Sequence, residues 1–121
     1  MRAVAKKIQL TGRERLVNYD FVMDERLGIM LPELQLDWED YSEEDRADIL
    51  LRWEEIRGTI PDRIKALERI IIVKQEQLNL EDNFAVSCRL NSEIAELAST
   101  INDLHLWFRV NQDITAGAAH H

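Results

Sequence analysis

From Phe84 to Phe108 the residues Phe84, Cys88, Asn91, Ile94, Ala95, Ala98, Ile101, Leu104 and Phe108 recur at steps of three and four. That spacing gathers them on one side of an α-helix and on no single face of a strand, so it predicts a helix over 83–111. No turn signal interrupts the run. Only four glycines and two prolines occur in 121 residues, too few for a fold rich in tight turns. The long helix therefore sets the class, and the rest of the chain is read against it.

Upstream, Thr11 and Glu14 have the spacing of a capping box, and Leu16, Tyr19, Val22, Met23 and Leu27 follow at helical steps until Gly28. This predicts a first helix over 12–28. The segment 29–41 holds Pro32 and no sustained period, which predicts a connection pinned to the core by Trp38. Ser42 before Glu43, Glu44 and Asp45 is a helix start, since the hydroxyl caps and the acids meet the positive end of the dipole. A second helix over 43–57 then stops at Gly58. Pro61 suits the first turn of a third helix over 61–79, in which Ile64, Leu67, Ile71 and Leu78 form the inner stripe. Helix is preferred to strand at Ile70–Val73 because KALER before the run and KQEQL after it are strong helix formers.

The expected fold is all-α: a bundle of about four helices with a long antiparallel C-terminal helical hairpin, forming one domain over 1–111. Residues 112–121 read as a flexible tail, with His120 and His121 a remnant of expression. Counted outwards from the turn at 79–83, the last helix overhangs its partner by roughly 15 Å. The overhang carries Leu104, Leu106, Trp107, Phe108 and Val110 and needs a cover. The first or second helix, with Trp53 near its end, or else another subunit or a partner protein, would supply it. Ile70 to Val73 likewise occupy most of the helix circumference. The candidate interaction surface is therefore Ile70, Ile72, Val73, Leu106, Trp107, Phe108 and Val110, and the candidate partner is another protein or a second copy.

Charge and chemistry narrow the function. A net charge of −8 opposes general binding to nucleic acid, although Arg2, Lys6, Lys7, Arg13 and Arg15 collect near the start. Seven acids between Asp37 and Asp48 read as a solvated loop and helix start, with a cation or basic partner as the alternative. They lack the central glycine of a calcium loop. No apolar run is long enough to span a bilayer. The one cysteine, Cys88, allows neither an internal disulfide nor a cysteine zinc site, and the expected location is the cytoplasm. His105 is a lone helical histidine, 17 residues from Cys88 or about 25 Å along the helix, so the two make no nucleophile–base pair within one chain. No catalytic residue, metal ligand or cofactor site is expected.

Within the C-terminal hairpin, Ile64, Leu67, Glu68, Ile71 and Leu78, then Phe84, Ser87, Cys88, Leu90, Ile94 and Leu97, resemble the UVR motif. This is the short helical hairpin of nucleotide-excision repair nuclease subunits and of some Clp-associated and arginine-kinase-activator proteins. Ala85 stands where the family carries Glu, and Asn91-Ser92 where it carries Arg-Asp. The resemblance implies an accessory role in nucleic-acid repair or protein quality control. It also implies that Ser87 and Cys88 are small residues buried in the helix seam. The expected function is a small acidic, non-catalytic interaction module; a UVR-like accessory, or a bundle holding a small molecule or metal, are the alternatives.

Overall fold

The computed structural model describes residues 18–110. Within them the chain forms two strands, β1 (Tyr19–Asp24) and β2 (Ile29–Leu34), a 3-10 turn at Trp38–Asp40, and three helices, α1 (Glu43–Arg57), α2 (Ile60–Asn79) and α3 (Phe84–Phe108). The all-α expectation of about four helices is overturned by the strands. Residues 19–34 form an antiparallel hairpin in which Tyr19 pairs with Leu34 and Asp24 with Ile29. The expected helix over 12–28 is therefore absent where the structure describes it; its capping box at Thr11–Glu14, its start at Leu16 and the tail over 112–121 lie outside the described residues.

The physical reason is a competing period. Tyr19 and Phe21 are buried while Val22 is exposed, which is the alternation of a pleated strand; Ile29 is buried too, but it pairs with Asp24 on the other face, beside the loop. Gly28 takes φ 77° in the loop between the strands, where its amide donates to the carbonyl of Asp24 at 2.7 Å. A residue read as a helix stop is thus a hairpin turn. Pro32 also fits the sheet. The Gln35 amide donates to the carbonyl of Asn18, which makes 18 and 35 a bonded pair; counting along the register then places Pro32 opposite Phe21 at a non-bonded pair. Its missing N–H removes no ladder bond.

Tyr41 closes the open end of the hairpin. Its hydroxyl accepts from the amides of Gln35 at 2.9 Å and Leu36 at 3.1 Å and donates to the carbonyl of Asn18 at 2.6 Å. Its ring meets Tyr19 edge-on at 5.9 Å, and the Tyr19 hydroxyl donates to Asp48 of α1 at 2.6 Å. Helix α1 begins where Ser42 Oγ accepts from the Asp45 amide at 3.0 Å. It contributes Ile49 and Trp53 to the core, beside Phe21, Leu27 and Ile29 of the hairpin and Ile60, Ile64, Leu67 and Leu104 of the long helices.

Helices α2 and α3 run antiparallel. Ile60 and Leu104 share the core at one end, while Lys74 Nζ meets Glu93 Oε1 at 2.9 Å nearer the other. The turn between them ends at Asn83, whose side chain accepts from the Val86 amide. Beyond Leu67 no described residue of α2 belongs to the core cluster. The outer half of α2 is thus covered on the side of α3 alone.

Candidate interaction surface

Each part of the proposed surface depends on what covers α2 and α3. At the inner end, the overhang of α3 is covered by α1. The Trp53 and Trp107 rings meet edge-on at 5.8 Å, and Arg57 stacks over Phe108 at 4.5 Å while its Nη1 donates to the Phe108 carbonyl at 3.1 Å. That carbonyl is among those an α-helix leaves without an internal partner at its C-terminus. Trp107, Phe108 and Val110 are partly buried against the core. Of the four candidate residues at that end, Leu106 is the most exposed, at 51%.

The hairpin tip is tied down on both helices. Arg63 Nε donates to the carbonyl of Leu27 at 2.9 Å, and Arg26 reaches across α3 to Glu96 and Asp103, each at 2.8 Å, and to Ser99 at 3.1 Å. The two carboxylates hold the guanidinium pKa above its ordinary value, chiefly through the Glu96 hydrogen bond. These contacts fix where the covered part of the hairpin ends.

Past that point Ile70, Ile72 and Val73 are 43%, 53% and 51% exposed. At about 100° per residue they divide into two flanks. Ala66, Ile70, Val73 and Gln77 lie on one, spaced by four, three and four residues, and a shallow groove of about 360 Å³ runs over them between Arg69 and Lys74. Ile72 lies on the opposite flank. The inner stripe of Ile64, Leu67, Ile71 and Leu78 falls between the two and faces α3. The Lys74 ammonium holds the Glu93 carboxyl below the usual carboxylate range, so this side of the groove is pinned to α3. Arg69 and Glu76 border the other side and pair with no group among the described residues.

The turn adds two apolar side chains that sequence reasoning left out of the surface, Leu80 and Phe84, the most exposed in the described chain. The period places Phe84 on the same side of α3 as the seam, yet its side chain is exposed. Cys88 is likewise exposed, which corrects its placement as a buried small residue; the inner face of α3 is instead Leu90, Thr100 and Leu104, with Ile94, Leu97 and Ile101 partly covered. The three- and four-residue steps from Phe84 and Cys88 run along the flank of the helix rather than its seam. The heptad-like spacing of 66, 70, 73 and 77 was the signal that could have separated the two exposed flanks of α2.

His105 is exposed and borders a second depression of about 250 Å³ between the start of α2 and the end of α3, with Ile60, Ile64, Lys65, Glu68 and Phe108. Among the described residues no three His, Cys, Asp or Glu side chains are grouped to hold a metal ion, and no helix is long and apolar enough to cross a membrane. Comparison with family models, with curated proteins and with solved structures finds no match to this chain.

Proposed function

We propose that the chain is a non-catalytic protein–protein interaction module of the cytoplasm, which docks a polypeptide on the outer flank of α2. One observation carries the reading. Ile70 and Val73 stand about half exposed on a well-formed helix, on a flank separate from the stripe that packs on α3. Fully burying a side chain of this kind stabilises by about 1.5–3 kcal/mol, so covering the remaining area of both is a favourable term that the isolated chain does not use. An amphipathic helix laid in the groove between Arg69 and Lys74 would realise it. A free, exposed Cys88 suits a reducing compartment.

A photo-cross-linking residue at Val73 tests this in cells that express the protein. The expected result is an adduct of discrete mass at position 73 and none at exposed Glu43 on α1, with the adduct lost in Ile70→Glu. Labelling at 73 no stronger than at 43 would overturn the reading.

A further inference from the structure

We infer that the polypeptide on this flank is a second copy of the same chain, with α2 laid antiparallel to its own counterpart about a two-fold axis. The inference rests on the docking role proposed for α2. It is drawn from two features of the stripe. The first is its spacing. Ala66, Ile70, Val73 and Gln77 occupy alternating d and a positions of a heptad, the seam of a two-helix coiled coil. In an antiparallel pair a faces d, so Ile70 meets Val73 of the second copy and Ala66 meets Gln77, each contact occurring twice. The small Ala66 leaves room for the longer Gln77 at the ends, and the two branched pairs fill the centre.

The second feature is charge. With 66 and 73 at d, Arg69 and Glu76 both take g positions, and antiparallel helices bring g against g. Arg69 then faces Glu76 of the second copy, and Glu76 faces its Arg69. Two opposite-charge pairs close symmetrically on the open side of the groove. Neither side chain is engaged elsewhere among the described residues, and both are exposed. The e positions on the other edge are Leu67 and Lys74, which are occupied within the chain by the core and by Glu93. One helix edge is therefore turned inwards and the other carries a self-complementary pattern. An isologous contact requires that property, because each patch must recognise itself. A net charge of −8 on each copy opposes association elsewhere, so the local pairs also select the register. The seam spans about three helical turns, a small interface of the weak, transient kind.

Sedimentation equilibrium of the full chain under reducing conditions, from low micromolar to millimolar concentration, tests this with a charge exchange. The wild type should move from monomer to dimer. Arg69→Glu alone and Glu76→Arg alone should each weaken dimerisation by about tenfold or more, because each places like charges opposite one another twice. An equimolar mixture of the two variants should regain dimer, since both cross pairs then oppose Glu to Arg. Far-UV circular dichroism verifies that both variants keep their helices. A wild type that stays monomeric to millimolar concentration, or a mixture no more associated than its components, overturns the second-copy assignment. If the Val73 adduct then has the mass of a different polypeptide, the docking role stands and only the self-pairing falls; if no adduct forms, both fall.

Discussion

Arg26 Nε lies 2.8 Å from Glu96 Oε2, and this contact joins the loop of a β-hairpin to a helix 70 residues further along the chain. With Asp103 and Ser99 on the same guanidinium, the helix is gripped over two of its turns. Arg26→Ala should lower the melting temperature slightly, less so in high salt, because the pairs are exposed and screened. Amide exchange should quicken in residues 24–28 and not in α1. Uniform quickening across the domain would show that the arginine supports the whole core rather than the loop.

Gly28 holds φ 77° with its missing side chain aimed at Arg63, whose Nε would lie 2.5 Å from an added Cβ. Gly28→Ala should cost about 1–3 kcal/mol from the left-handed backbone, and more from the clash. Arg63→Ala removes the clash together with the bond to Leu27. In a double-mutant cycle followed by urea denaturation the two changes should cost less together than their sum. Strict additivity would contradict the contact.

The interior and the turn should respond oppositely to truncation. Leu104 is fully buried, so Leu104→Ala should destabilise by about 2–5 kcal/mol. Exposed Phe84→Ala and Cys88→Ala should stay within about 0.5 kcal/mol of wild type. A large loss at Cys88 would restore it to the helix seam.

Acid should loosen the outer hairpin through Glu93. Its carboxyl pKa is lowered by Lys74 in the folded chain, so the stabilisation is present above the ordinary glutamate pKa of about 4.3 and is lost as pH falls through the depressed folded value. Lys74→Met should lower the melting temperature slightly at neutral pH, where the pair is formed, and flatten the pH dependence of melting in that acidic window. An unchanged acid limb would show that the pair makes no contribution.

Part of this fold was legible in local chemistry. Ser42 announces a helix start and accepts from the Asp45 amide, whereas the matching cap of α3, Asn83 on the Val86 amide, reads in the sequence only as part of a turn. The β-hairpin was not legible because Tyr19, Val22, Met23 and Leu27 fit a helical period while Tyr19 and Phe21 alone mark the alternating one. A glycine ends a helix and turns a hairpin with the same positive φ, so Gly28 did not decide between them. Tertiary packing on Ile49 and Trp53 did. The candidate surface was legible only as an excess of apolar residues. The spacing offers Trp53 as a cover for the overhang, but it does not reveal that Arg57 stacks on Phe108 or that the groove over Ile70 and Val73 remains uncovered.

The measurement that tests the central claim most directly is the concentration dependence of isoleucine δ-methyl NMR signals in the wild-type chain. Ile70 and Ile72 are equally helical and similarly exposed but lie about 160° apart around α2. The account predicts that the Ile70 methyl shifts as concentration rises while those of Ile72 and buried Ile49 stay fixed. Ile70 and Ile72 moving together, or Ile70 remaining still, would contradict it.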